Sequence, residues 1–162
     1  MNILKIAAAL TMMAGSAFAD GHALGDAENG ETLFGRQCVA CHVVADASGE
    51  VLAGRNGRVG PNLFDIAGRT AGVIEGFRYG DAIIVAGEGG AVFDEATFVA
   101  YVMDPTAWLR EITDDARARS KMSFKVRSDS DAADIFAYLA TFAAEVADEE
   151  EEEEEAAEAA AE

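Results

Sequence analysis

The clearest hydrophobic rhythm lies late in the chain, where Ile135, Leu139, Phe142 and Val146 recur at spacings of four and three, with Phe136 and Ala143 beside them. One apolar stripe at that period is a helix laid against a core, predicted here over 130–147. A second stretch, with Phe98, Val99 and Val102, follows Asp94 as a helix cap and predicts a helix over 95–103. It stops before Pro105, because the residue preceding a proline is pushed out of the helical region. Asp26 caps a third predicted helix over 27–37, and an interior glycine, Gly30, costs that helix about 1 kcal/mol relative to alanine. A close crossing with the 130–147 helix explains Gly30, since only glycine leaves room there for another backbone. Shorter patterns predict brief helices over 62–66 and 81–86, and glycine and proline punctuate the remainder as loops. The fold class is all-α, with three main helices joined by short helices and loops.

The two ends of the 162-residue chain break this pattern. Residues 1–19 read as a cleaved secretory signal peptide: Lys5 is the positive start, 6–14 the apolar run, and Ala17 and Ala19 the small residues before the cut. That run is too short to cross about 30 Å of hydrocarbon. No later segment reads as membrane-spanning, so the mature protein is expected to be soluble, without stable membrane insertion. Residues 148–162 hold ten acids, eight of them consecutive from Asp148, with alanine between the rest. Like charges repel and no apolar face offsets the entropy of ordering, so a disordered acidic tail is expected. The folded body is then 20–147, with 20 acids against 11 lysines and arginines, a charge near −9. That balance disfavours nucleic acid and anionic membrane surfaces as partners.

The only cysteines are Cys38 and Cys41, and His42 follows at once. Cys-Val-Ala-Cys-His is the attachment pattern of haem c. Two thiols three positions apart lie on one side of a helical turn, where they can add to the two haem vinyl groups. The next residue then brings an imidazole nitrogen to the iron from one face. A thioredoxin-type redox pair would need a strand–helix alternation that the body lacks. A structural zinc site would need four ligands, and 20–147 offers only these three plus His22.

The other face of the iron takes a ligand or stays open. Outside the signal the chain holds two methionines, Met103 and Met122. Met103 falls in the apolar pattern of the 95–103 helix and reads as core filler. Met122 lies in Arg-Ser-Lys-Met-Ser-Phe-Lys, a stretch without helical period, where a loop can curl a side chain inward. A thioether opposite an imidazole raises the iron potential. His22 is the other candidate, but it stands two residues inside the predicted mature terminus, where chains are seldom held.

These residues together resemble the class I c-type cytochromes, most of all the larger soluble bacterial forms of the cytochrome c-550 group, over 30–139. Gly30-x-x-x-Phe34-x-x-x-Cys38 is similar to the family's first helix running into the haem motif, and Asp134-Ile135-Phe136-Ala137-Tyr138-Leu139 to the last helix that crosses it. The resemblance implies a cytochrome c fold around one covalent haem c. It implies that Pro61, in Gly60-Pro61-Asn62-Leu63, accepts a hydrogen bond from the His42 ring and fixes its tautomer. It also implies that Arg69 and Tyr79 bind haem propionates, that Tyr101 packs on the haem, that Met122 ligates the iron, and that Phe124 shields the haem edge. Three positions depart from the family. Phe93 stands where a propionate-bonding tryptophan is common, and Trp108 falls in an insertion that does not carry over to that role. Arg119 and Ser120 replace the usual glycine and threonine before Lys121-Met122.

Between 117 and 127 there are five cations, Arg117, Arg119, Lys121, Lys125 and Arg127, and no acid. A positive patch beside a haem edge on a negative protein makes a dipole that orients acidic partners. The resemblance implies docking through such a rim to a quinol–cytochrome c reductase and a terminal oxidase or other periplasmic reductase. The expected function is periplasmic electron transfer by a monomer without catalytic residues. The alternative is a haem enzyme or small-molecule sensor with an open sixth position, for which no distal histidine remains except His22.

Overall fold

The computed structural model describes residues 25–143. The predicted signal peptide, His22, the acidic tail and positions 144–147 of the last predicted helix lie outside them. The described chain runs α1 (Ala27–Gln37), β1 (Val43–Ala45), β2 (Val51–Gly54), α2 (Asp81–Glu88), α3 (Glu95–Met103), α4 (Pro105–Ile112) and α5 (Asp129–Ala140). Among the described residues no helix is long and apolar enough to cross a membrane.

The contact that frames the fold is the crossing of α1 and α5. Asp26 caps α1 as predicted, its Oδ1 accepting the Glu28 and Asn29 N–H groups at 3.0 and 3.2 Å. A side chain on Gly30 would overlap the Asp134 carbonyl, and one on Gly25 the Ala133 carbonyl, so the two backbones touch. Asp134 also turns its carboxylate onto α1, accepting from the Asp26 N–H and from Asn29 Nδ2, both at 2.7 Å. Beside the crossing Phe34, Ile135 and Leu139 are buried, and the Phe34 and Tyr138 rings lie 5.6 Å apart.

Ser128 caps α5, its Oγ accepting the Asp131 N–H at 3.2 Å. The helix ends at Ala140, short of the predicted 147. Thr141 Oγ1 donates to the Tyr138 carbonyl at 2.7 Å, and the N–H groups of 141–143 reach back only three residues, so the helix tightens at its end.

Helix α3 spans its predicted residues, with Asp94 Oδ1 accepting the Thr97 N–H at 2.7 Å. The segment after it, expected as loop, is instead α4. Asp104 ends one helix and caps the next: its backbone is extended (φ −152°, ψ 86°), as a residue before proline should be, and its Oδ1 accepts the Ala107 N–H at 3.1 Å. Pro105 then occupies the first helical position, where a missing N–H costs nothing.

Two other expectations change. Residues 62–66 form turns, not a helix, because Asn62 Oδ1 takes the Ala45 and Phe64 N–H groups, both at 3.0 Å, and Asp65 sits at φ +56°. Helix α2 starts where predicted and runs two residues further, to Glu88. The β1–β2 hairpin is an addition to the helical plan. Asp46 closes its turn, Oδ1 accepting from Glu50 N–H at 2.9 Å and Ser48 Oγ at 2.7 Å, while Gly49 takes φ +87°.

Two glycines of α1 separate helix propensity from crossing geometry. Gly35 has nothing within 4 Å of a built side chain. Gly35→Ala should therefore stabilise the protein by about 0.5–1 kcal/mol. Gly30→Ala should destabilise it by more than that, because α1 must move off α5. Denaturant unfolding of the two variants beside the parent checks both signs.

Candidate functional site

The residues predicted to carry chemistry converge on one cavity of about 500 Å³. Its walls are chiefly apolar: Leu63 and Ile66, Ile83 of α2, Phe98 and Val102 of α3, Leu109 of α4, and Ile135 and Leu139 of α5. Cys38, Cys41, His42, Pro61, Arg69, Tyr79, Tyr101, Met122 and Phe124 all line it as well. No aspartate or glutamate does.

The cysteine motif leaves α1 as a turn. Cys38 N–H completes the helix on the Phe34 carbonyl at 2.9 Å, and the N–H groups of Cys41 and His42 both return to the Cys38 carbonyl at 3.0 Å. Cys38 is half-buried and Cys41 exposed, and both thiols are free. Burial, and next the neighbouring Cys41, push the Cys38 thiol up to about 12. A protonated thiol is a poor nucleophile.

His42 Nδ1 lies 2.9 Å from the Pro61 carbonyl. A carbonyl only accepts, so Nδ1 carries the hydrogen and Nε2 keeps its lone pair for a metal. Burial lowers the His42 pKa, with the Pro61 bond opposing in part, so the ring is held neutral. The segment 55–63 is folded to make this possible. Gly60 N–H donates to the Cys41 carbonyl at 2.8 Å, Leu63 N–H to the Val43 carbonyl at 2.8 Å, and a side chain on Gly60 would overlap the imidazole. Asn62 ties the same segment to β1, donating from Nδ2 to the Ala45 carbonyl at 2.6 Å.

Met122 sits half-buried on an irregular segment pinned at several points. Ala118 O accepts from Arg110 Nε at 3.1 Å, Ser120 N–H donates to Thr106 Oγ1 at 3.2 Å, and Val126 N–H donates to the Val102 carbonyl at 2.9 Å. Ser120 Oγ accepts the Met122 N–H at 3.0 Å and shares a 3.2 Å bond with the Tyr101 hydroxyl. Serine at the family's threonine position thus keeps a hydroxyl between the methionine backbone and the tyrosine. Met103 is absent from the cavity wall and packs on the core, as expected of filler.

Arg69 lines the cavity half-buried and donates only to main-chain carbonyls, Phe64 O at 2.6 Å and Asn62 O at 3.1 Å. Burial pulls its pKa down, with Tyr79 and Asp65 partly opposing. A desolvated cation without a bonded carboxylate suits a ligand that brings its own acid groups. Phe93, in the place of the family's tryptophan, is buried in the cavity wall; Trp108 stacks behind it at 6.4 Å and meets Tyr101 edge-on at 5.4 Å, without lining the cavity.

A ligand for this site must therefore be large, flat or compact enough for an apolar cleft, offer electrophilic carbons to two thiols and a metal to a neutral imidazole, and carry anionic groups to Arg69. Haem meets each demand. The comparisons with known proteins agree. A cytochrome c2 of Rhodovulum adriaticum is 57% identical over 117 residues, 72% of this chain and 92% of that protein. A cytochrome c-551 of Roseobacter denitrificans is 47% identical over 139 residues, 85% of this chain and 93% of the relative. The solved structure of cytochrome c2 from Rhodobacter sphaeroides superposes with a TM-score of 0.70 at 48% identity, covering 72% of this chain and 95% of the other.

The chain belongs to the class I c-type cytochromes.

No family model matches it. The ferric cytochrome c-550 of Paracoccus versutus is a further structural relative, with a TM-score of 0.68 at 40% identity over 74% of this chain and 98% of that one. As a class I cytochrome the chain is an electron carrier and not an enzyme, and its cofactor is one covalently attached haem c.

The basic patch is arranged differently from its sequence. Of the five cations in 117–127, only Arg119 and Lys121 line the cavity. Lys121 Nζ donates to the Arg78 and Tyr79 carbonyls, each at 2.8 Å, stapling the Met122 segment to 78–79. Lys125 is paired with Asp104 at 2.6 Å, and Arg117 lies 3.7 Å from Asp115. The run has no acid in sequence, but the fold supplies two. Arg36 and Arg78, which sequence reasoning missed, join Arg119 and Lys121 at the cavity. Arg36 could have been found, since it stands in the last turn of the helix that delivers Cys38.

Gly60→Ala tests whether the glycine exists to admit the His42 ring. The variant should yield little haem protein, and what forms should show a displaced Soret maximum. Gly68→Ala, at a glycine with open space beside it but φ +80°, controls for backbone strain alone. It should cost about 1 kcal/mol of stability and leave the spectrum in place.

Proposed function

We propose that this cytochrome is a periplasmic shuttle for single electrons, with His42 and Met122 as the two axial ligands of its iron. The observation that carries the ligand assignment is the donor inventory of the cavity. Once Cys38 and Cys41 are used in thioethers, His42 and Met122 are the only imidazole and sulfur groups lining it among the described residues. The bound haem iron supplies a one-electron couple. The chain's own part is to keep that exchange free of rearrangement. Pro61 fixes the His42 ring, and the bonds from Arg110, Thr106, Ser120 and Lys121 hold the segment around Met122. Rigid ligands on both sides keep reorganisation small, and a thioether donor favours the reduced state relative to a second histidine. Arg69 and Tyr79 are the proposed partners of the propionates, with Tyr101 packed on the macrocycle.

Delivery of electrons is proposed to run through the cavity mouth, where Phe124 is 45% and Val59 76% exposed. Apolar side chains in thin cover suit brief contact with a partner. Arg36, Arg78 and Arg119 stand at the same cavity without a bonded carboxylate among the described residues. Acidic faces of a quinol–cytochrome c reductase and of a terminal oxidase or other periplasmic reductase are the matching partners, met by a monomer. Lys121, Lys125, Arg117 and Arg127 complete the proposed set of docking cations. The first three spend part of their charge locally, so the docking test belongs on Arg78 and Arg119.

Oxidised protein should show the weak near-infrared sulfur-to-iron charge-transfer band, and Met122→Ala should abolish it and turn the iron high-spin. Persistence of the band in that variant would exclude Met122 as the ligand. Arg78→Glu with Arg119→Glu should slow reduction by the purified reductase about ten-fold at low salt and leave the midpoint potential nearly unchanged. At 1 M salt, where the Debye length is about 3 Å, the parent and variant rates should converge. Equal slowing at both ionic strengths would count against electrostatic docking.

A further inference from the structure

The molecule poses a charge problem that docking alone does not resolve. Its sequence has 30 acids against 12 lysines and arginines, yet the haem cavity is lined by cations and by no acid. Arg36, Arg78 and Arg119 remain unpaired among the described residues. Lys125, by contrast, is paired with Asp104. The densest negative charge in the chain, the unbroken glutamates 149–155, begins six positions beyond Ala143, where the described residues end.

That exit point packs on α1, whose last turn carries Arg36: the Phe142 ring is 5.2 Å from Tyr138, and Tyr138 is 5.6 Å from Phe34. Leu139, one turn before the end of the described chain, lines the haem cavity itself. A chain spans at most about 3.3–3.6 Å per residue, so Glu149 can lie up to about 20 Å from Ala143 and Glu155 up to about 40 Å. The whole body has a radius of gyration of only about 13 Å. The run is therefore long enough to reach the mouth of the cavity.

We propose that the glutamate run 149–155 docks on the basic mouth of the haem cavity of its own chain, over Arg36, Arg78, Arg119 and Lys121, as an internal competitor for acidic partners. A tethered segment acts at an effective concentration in the millimolar range, above that of a second copy at micromolar protein. The contact is a set of exposed charge pairs, each weak and screened by salt, so it opens readily. An acidic partner must displace the run before docking. Encounter is then slow at very low salt, fastest at an intermediate ionic strength that loosens the run, and slow again when the partner itself is screened. This consequence for partners rests on the mouth being the docking face; the contact between run and mouth does not.

The test uses the full chain with its haem. In one variant all seven glutamates of 149–155 become glutamine, and amide NMR spectra of the reduced, diamagnetic protein are compared with the parent at 10 mM and 500 mM salt. At 10 mM the two should differ at Arg36, Arg78, Arg119, Lys121 and their neighbours, and over at least ten-fold dilution the differences should persist. At 500 mM they should vanish. No difference at low salt, or differences centred on another face, would overturn the contact; differences lost on dilution would assign it to a second copy. Reduction by the purified reductase, read in parallel at 10 mM, should be several-fold faster for the glutamine variant. Should the spectra change as expected while that rate, and the rate of the Arg78→Glu, Arg119→Glu variant, stay at the parent value, the docking reading fails and the internal contact stands.

Discussion

The hydrogen bond from His42 Nδ1 to the Pro61 carbonyl is the constraint on which the rest of this protein depends. It commits the other ring nitrogen to the cavity as a lone pair, and it does so only because three features agree. Gly60 yields the space the ring occupies, the Gly60 N–H is anchored on the Cys41 carbonyl, and Asn62 fastens the following turn to β1. The hairpin β1–β2 thus has a role beyond filling a connection: Val44 is buried, and the strand beneath it gives segment 55–63 something to be bonded to. An imidazole on a free turn after α1 would rotate. Here its direction is set by main-chain groups on a second segment, which is why so much irregular chain around residues 55–66 is nonetheless fixed.

The second constraint is volume. An apolar cavity of about 500 Å³ in a described body of 119 residues is far larger than any packing defect. At about 25 cal/mol per Å² of apolar surface taken from water, a group that fills it contributes to stability as buried core side chains do. The haem is therefore as much core as cofactor. Helices α2, α3, α4 and α5 each turn at least one apolar residue toward it, while direct helix packing rests chiefly on α1 against α5 and α3 against α5, where the Phe98 and Phe136 rings lie 5.3 Å apart. The thioethers make this arrangement permanent, so the core cannot be lost by dissociation.

What could be read from the sequence divides along a physical line. Helices α1 and α3 were legible to the residue because each has an aspartate cap followed by an apolar period, and both are local signals. Gly30 announced the crossing with α5, since an interior helix glycine has to earn its place by contact. The Cys38-Cys41-His42 motif was legible because covalent attachment restricts residue types. The misses came from residues with two roles. Asp104-Pro105 was read as the stop of α3, although the same extended residue and the same proline begin α4, and Leu109 of that helix closes the cavity wall. Asn62 was read as helical, whereas its side chain satisfies backbone groups of β1. The extent of α5 was over-read, because apolar period continues through 146 while Thr141 ends the helix from within.

The basic patch shows why charge is the least local of these readings. Counting signs along 117–127 found a run of cations, but a charge is defined by what stands across from it. Asp104, fixed by its double duty between α3 and α4, lies where it neutralises Lys125, and Lys121 turns inward to hold two carbonyls. The cations left at the cavity come from three separate segments: Arg36 from α1, Arg78 from the approach to α2, and Arg119 from the methionine segment. No window of sequence contains them. Their meeting follows from the cavity itself, because every segment that wraps the haem ends at the same mouth. On a chain this acidic, keeping that mouth clear of carboxylates amounts to placing a small positive region inside a large negative field. Such a region acts only at short range in salt, so it discriminates among surfaces already in contact more than it gathers them from afar.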